Sequence, residues 1–241
     1  MENCGGIAVK VLAVDTATRS CGVAVLIDDK PAAELATVSE QTHSVRLMPM
    51  IRDALALAGL DLKGIDGFAV TVGPGSFTGL RIGISTVKGL AFATAKPCAG
   101  ISTLAALAYA CLPWPHPICS LMDARKGEVY AAFFRESNGR LERMGNEQVG
   151  APEAILRVIG SPHLVVGDAV EIYEERIRAI AGDYAVLAPR DLHFPRASVV
   201  ARLARNSLQA ASRDGQGRVV PHYIRQSDAE LRIKRVDPTE G

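Results

Sequence analysis

The sequence predicts an α/β protein of two lobes, each opening with a β-hairpin. Three observations carry that prediction. The first is a repeated unit. An apolar strand ending in aspartate, a polar turn and a second apolar strand occur at IAVKVLAVD, TATRSCG and GVAVLID, and again within ICSLMDARKGEVYAAFF. Aligning Asp15 with Asp123 brings Val23, Ala24 and Val25 near Ala131, Ala132 and Phe133. A supersecondary unit repeated in each half indicates internal duplication. The second is LPWPHP at 112–117, where three prolines in six residues continue neither a helix nor a central strand. It divides the chain into lobes 1–112 and 113–241. The third is composition. Hydrophobic residues make up 48% and aromatics only 5%, so Ala, Val, Leu and Ile do the packing, as in layered proteins with buried parallel strands.

Each element follows in order. Residues 7–15 and 22–28 are strands joined by a Thr/Ser/Gly turn, which makes them a hairpin. Pro31 to Ser39 reads as a third strand. Gln41 to Leu60 has helical spacing and Gly59 ends it. IDGFAVTV at 65–72 is a strand. GPGSFTGLRIG (Gly73 to Gly83) follows it and launches a helix from Gly79 to Ala95. Residues 97–111 add a short strand and a helix. The second lobe continues after its hairpin with a helix at 152–160, a strand at 163–169, a helix at 170–182 and a long helix from Ala197 to Ser212. That last helix is free to pack back on the first lobe. A tail rich in Arg and Lys closes the chain.

Composition also limits function. Net charge is +1, which gives no electrostatic footprint for nucleic acid. The five cysteines, at 4, 21, 98, 111 and 119, show no C-x-x-C spacing and read as small buried hydrophobes in a reducing compartment. The first residues lack a basic segment ahead of a signal core. No uninterrupted apolar run reaches the roughly 18 residues of a membrane span. The expectation is a cytoplasmic protein without a membrane partner.

The glycine segment carries the functional signal. Gly73, Gly75 and Gly79 flank a polar loop that enters a helix, a form that lets backbone approach a ligand and aims N–H groups at an anion. Ser76 and Thr78 are N-cap candidates, and Arg81 lies in the first turn. Asp15, Thr16, Thr18 and Ser20 add polar groups in the first hairpin turn. The Rossmann glycine pattern fails at Thr78, and the P-loop pattern lacks its lysine. A competing reading is purely structural: a tight turn with close helix packing. Gly79, Gly83, Gly89 and Ala93 then form a small-residue stripe. The helix from His43 to Ala58 is apolar nearly all round, which favours an exposed face for a partner over complete enclosure. No hydrolase constellation or metal motif is present, the five histidines at 43, 116, 163, 193 and 222 being scattered. Arg225, Arg232, Lys234 and Arg235 are suited to RNA phosphates or to simple solvation.

VLAVDTATRSCGVAVL at 11–26, THSVRLMPMI at 42–51, VTVGPGSFTGLRIGISTVKGLA at 70–91, LMDARKGEVYAAFF at 121–134 and PHYIRQ at 221–226 resemble the TsaB (YeaZ) family. That resemblance implies an actin-like, sugar-kinase-like ATPase (ASKHA) fold. It also implies a role in forming threonylcarbamoyl-adenosine at position 37 of tRNAs reading ANN codons. It makes the chain a sister of TsaD, the subunit that transfers the threonylcarbamoyl group. TsaD-type chains carry an H-x-x-x-H metal motif where this chain has Thr103 and Leu107, and a Gly-Gly adenosine motif where it has only Gly167 followed by Asp168. The resemblance therefore implies a non-catalytic scaffold and activator of TsaD, with no metal site. The alternative is an ATP-dependent carbamoyl-type transferase or glycoprotease-like hydrolase. The implied docking residues are His43, Leu47, Met50, Ile51, Leu55, Leu80, Gly83 and Val87, which a homodimer would share. TsaE is the implied further partner, and tRNA is contacted indirectly. Asp15, Thr16, Gly73, Gly75, Ser76, Thr78, Gly79 and Arg81 become a remnant phosphate site, with no nucleotide held tightly and ATP or ADP left only a subunit junction.

Overall fold

Alternation along the central strands builds three layers around each sheet. In β1 (Lys10–Asp15), Leu12 and Val14 join one apolar cluster and Val11 and Ala13 join another on the opposite face. Both faces are apolar, so both must be covered by helices. The computed structural model describes residues 9–39, 41–214 and 219–225.

The first sheet has the order β3-β2-β1-β4-β5, from β1, β2 (Ser20–Ile27), β3 (Lys30–Val38), β4 (Gly67–Gly73) and β5 (Cys98–Ser102). β1 and β2 pair antiparallel with Leu12 opposite Val25, whereas β1, β4 and β5 run parallel. The second sheet repeats this arrangement as β8-β7-β6-β9-β10, from β6 (Ile118–Asp123), β7 (Val129–Ser137), β8 (Arg140–Gly150), β9 (His163–Val166) and β10 (Ala185–Leu187). The helices are α1 (His43–Leu57), α2 (Phe77–Thr94), α3 (Thr103–Tyr109), α4 (Pro152–Leu156), α5 (Ala169–Ala181) and α6 (Ala197–Asp214). Each half is thus three strands followed by helix, strand, helix, strand, helix. The duplication extends from the hairpin to the whole half.

Strands β8 and β10 were not expected from the sequence. β8 is an edge strand whose residues are exposed or half-buried along its length. Helix α4 stops at Leu156, short of the expected 160.

Packing crosses the predicted boundary at 112. Leu104, Leu107 and Ala108 of α3 sit in the core of the second sheet with Ile118, Met122 and Phe134. Val199, Val200, Ala204 and Leu208 of α6 cover the first sheet, against Val11, Ala13, Ala24 and Ala69. The halves therefore exchange their last helices. Helices α1 and α2 cover the other face of the first sheet, and α4 and α5 that of the second.

Candidate functional site in the interlobe cleft

A cleft of about 970 Å³ opens between the lobes. Both hairpin turns, the glycine loop, the start of α5 and the segment at 223–225 line it.

Asp15 ends β1 and is completely buried. Its Oδ1 accepts from the Thr71 hydroxyl at 2.7 Å and the Ala17 amide at 3.3 Å, while Oδ2 has no hydrogen-bond partner. Burial raises its pKa to about 7, against the pull of those two hydrogen bonds. The Thr16 hydroxyl donates to the Gly79 carbonyl at 2.8 Å, and the Thr18 hydroxyl accepts from the Ser20 amide at 3.1 Å. Side chains of the turn itself thus occupy two of its amides.

The glycine loop presses onto this turn. The Ser76 amide donates to the Ala17 carbonyl at 2.7 Å. A Cβ at position 75 would run into the Ala17 carbonyl, and one at 79 into the Thr16 carbonyl. A Cβ at 83 would strike the Thr16 hydroxyl, and one at 73 the His222 carbonyl. These glycines let chain meet chain. Ser76 caps α2 by accepting from the Gly79 amide at 3.3 Å. Thr78 is exposed at the cleft wall. Arg81 stacks on the Phe77 ring, 3.8 Å from its centroid, and donates to the Tyr223 hydroxyl at 3.3 Å.

The second turn has the same beginning and a different environment. Asp123 Oδ1 accepts from the Arg125 amide at 2.9 Å and lies 3.4 Å from the Tyr173 hydroxyl. The Asp123 amide donates to Asp168 Oδ1 at 3.0 Å. Burial raises the Asp168 pKa to about 6; the Asp123 hydrogen bond opposes this and the Asp123 charge adds to it. Arg125, Lys126 and Gly127 all have positive φ, at 62°, 58° and 79°. A Cβ at Gly127 would meet nothing within 4 Å. Asp123, Asp168 and Glu171 thus line the cleft together with Arg19, Arg125, Lys126 and Arg225, and the amides of Ala17, Ser20, Gly79 and Arg125 are taken by side chains of the chain itself.

His43 starts α1 and places Nε2 2.8 Å from the Thr18 carbonyl; burial lowers its pKa. The other expected docking residues lie elsewhere than predicted. Leu47, Met50, Ile51, Leu55, Leu80, Gly83 and Val87 are all buried within the first lobe. They form the stripe that seats α1 and α2 on the sheet, and in the single chain little of their surface is open to a partner. The small-residue stripe is likewise divided. Gly79 and Gly83 face Thr16, whereas Gly89 and Ala93 face solvent. The large apolar side chains that the two helices turn outward are Val45 at 66% exposure, Met48 at 50%, Leu57 at 68% and Phe92 at 81%, and Arg52, Asp53, Arg81 and Lys88 are exposed on the same helices. Thr103 and Leu107 are buried, Leu107 in the core around the second sheet. Among the described residues no group of three or more His, Cys, Asp or Glu is placed to hold a metal. None of the described helices is long and apolar enough to cross a membrane. Arg232, Lys234 and Arg235 lie outside the described residues, and Arg225 is engaged by the second turn, donating to the Ala124 carbonyl at 3.0 Å.

Sequence reasoning missed Glu147 on β8. Its carboxylate accepts from the Ser102 hydroxyl at 2.8 Å and lies 3.0 Å from His222 Nε2. No apolar alternation marked β8 as a strand, so nothing marked Glu147 as an inward position.

A family model described as "TsaD: tRNA N6-adenosine threonylcarbamoyltransferase" matches residues 36–233. The Bacillus subtilis protein named tRNA threonylcarbamoyladenosine biosynthesis protein TsaB is 31% identical, over 92% of this chain and 96% of its own length. The Haemophilus influenzae protein of the same name is 29% identical, over 89% of this chain and 93% of its own. The solved YeaZ from Pseudomonas aeruginosa superposes with a TM-score of 0.75 at 31% identity, covering 90% of this chain and 100% of that one. Component A of the (R)-2-hydroxyglutaryl-CoA dehydratase of Acidaminococcus fermentans shares the fold alone, with a TM-score of 0.50 at 12% identity over 84% of this chain and 100% of that one. The architecture is the two-lobed α/β fold of the actin-like and sugar-kinase-like proteins.

Proposed function

Given that the chain belongs to the TsaB family, whose members are named for tRNA threonylcarbamoyladenosine biosynthesis, we propose that it serves that pathway as a non-catalytic docking subunit. One observation carries this reading: α1 and α2 turn Val45, Met48, Leu57 and Phe92 to solvent. At the repeat-related position of α1, α4 is only a five-residue helix, whereas α5, the counterpart of α2, has 13 residues. Exposed large apolar side chains beside small ones such as Gly89 and Ala93 suit close approach by a partner's helices. The partner is TsaD, with TsaE joining as the ATPase. Without TsaD, the same face pairs two copies of the chain.

Turn amides already taken by side chains, and glycines packed against chain, support the absence of tight nucleotide binding by this chain alone. A nucleotide site, if one forms, is shared at a subunit junction, where the loop from Gly75 to Gly79 contributes its rim. The protein works in the cytoplasm, and its contact with tRNA runs through TsaD.

Reconstitution with purified components tests the proposal. Threonylcarbamoyl-adenosine formation by TsaD and TsaE should fall at least tenfold when this chain is omitted. The chain alone should neither form product nor bind ATP with micromolar affinity in calorimetry. Product formation, peptide hydrolysis or micromolar ATP binding by the isolated chain would replace the docking reading with the enzymatic one.

A further inference from the structure

The segment 219–225 ties the two lobes together across the mouth of the cleft. Val219 is buried in the first-lobe core beside α1 and α2. The His222 amide donates to the Val72 carbonyl at 2.7 Å, at the end of β4. The Tyr223 ring stacks on Phe77 of α2 at 5.0 Å between centroids, and its hydroxyl accepts from Arg81. So far the segment belongs to the first lobe. The next contacts belong to the second. His222 Nε2 lies 3.0 Å from Glu147 of β8. Arg225 donates to the Ala124 carbonyl at 3.0 Å and pairs with Glu128, both in the second hairpin turn.

The surrounding contacts show what this segment adds. An apolar joint between the halves lies where Ala106 of α3 packs into the cluster built on α6. Arg19 and Glu171 also face each other across the cleft, at 3.0 Å, but Arg19 is well exposed, and exposed pairs contribute little. Arg225 is much less exposed than Arg19, so its charged bonds to the second turn are better shielded from solvent. Glu147 is nearly buried and is reached by Ser102 of the first lobe, Arg143 of its own strand and His222. Ordering seven residues has an entropic cost that contacts to one lobe alone would offset less fully.

We propose that residues 219–225 are a clasp that holds the interlobe cleft closed, and that its release lets the lobes part about the α3–α6 joint. The inference stands independently of the docking reading. It assigns PHYIRQ, a motif the function did not absorb, a mechanical role at Tyr223 and Arg225. Because Tyr223 and Arg81 also hold the start of α2, the clasp links that helix to the second lobe.

Hydrogen exchange on the full chain tests it, comparing wild type with the Tyr223→Ala/Arg225→Ala variant. Amides at 17–20, 76–80 and 124–128 should exchange at least tenfold faster, while the central strands β1 and β6 keep their protection. Unchanged exchange at the three turns would overturn the clasp. So would an equal acceleration in the central strands, since that would mean general destabilisation. Should the double variant fail to fold, Glu128→Gln removes only the charge that pairs with Arg225, at a half-buried position. It should accelerate the 124–128 amides about threefold, and no acceleration there would also overturn the proposal.

Discussion

The two hairpin turns begin with the same code and end in different physical states. Asp15 and Asp123 each close a central strand and each accept an amide of their own turn. The first turn is then sealed by the glycine loop, whose residues 75, 79 and 83 leave no room for a side chain against residues 16 and 17. The second turn has no glycine loop pressed on it: its positive-φ residues Arg125, Lys126 and Gly127 are exposed, and a Cβ at 127 would meet nothing within 4 Å. Duplication supplied two equal hairpins, and the element packed on each decides whether its aspartate is buried or accessible. The same holds for the helices. α1 is 15 residues long and turns Val45, Met48 and Leu57 outward beside Arg52 and Asp53, whereas its counterpart α4 is a stub of five. The first lobe is sealed at its turn by the glycine loop, and the second turn opens on the cleft.

Substitutions at matched positions should break that comparison unequally. Gly79→Ala drives a methyl into the Thr16 carbonyl, so the loop or the turn must move. The expected destabilisation is about 3 kcal/mol or more, seen as a melting temperature lower by roughly 10 °C. A shift below a few degrees would show that the loop does not seal the turn.

The buried carboxylate gives the next effect. Asp15 has its pKa raised from 3.8 to about 7, so the unfolded chain releases this proton before the folded one does. Its contribution to stability is full below about pH 4 and is lost as pH rises toward 7. Between pH 5 and 7 that loss is on the order of 2 kcal/mol. Asp15→Asn should remove it, flattening the denaturation midpoint over this range. Asp168, raised to about 6, acts with the same sign, so Asp15→Asn/Asp168→Asn should be flatter still. His43 and His193, whose pKa burial lowers, act with the opposite sign over this range, so the assignment is read from the difference: a gap between wild type and Asp15→Asn that stays constant from pH 5 to 7 would contradict it.

Gly127→Ala should cost least. Nothing stands near its Cβ position, and only the positive φ opposes the change. About 1 kcal/mol is expected by chemical denaturation, against three times that at Gly79. Equal costs would erase the distinction between sealed and open turns.

Much of this architecture is legible in the residues. Both hairpins were readable because β1, β2, β6 and β7 are dense in apolar residues and end in turn chemistry. β8 was not, because RLERMGNEQVG is an edge strand with polar residues on both faces, which removes the alternation that marks a strand. Helix α1 shows a subtler failure. Its apolar residues were recognised but not sorted, although Leu47, Met50, Ile51, Ala54 and Leu55 follow the i, i+3, i+4, i+7, i+8 pattern of an inward stripe. The leftover Val45 and Met48 were the informative ones. The glycine loop was legible as a close approach but not as an approach to what. Its neighbour, Thr16, comes from some 60 residues earlier in the chain. The clasp has no periodicity at all, and only its contacts to β4, α2 and the second turn reveal it.

The central claim is that the outward face of α1 and α2 is a docking surface while their inward stripe is core. The most direct test is the affinity of the Met48→Asp/Phe92→Asp variant for TsaD, measured by calorimetry alongside its melting temperature. Binding should weaken at least 100-fold, with melting within about 2 °C of wild type, since surface changes seldom move stability far. Unchanged affinity in a folded variant would contradict the claim.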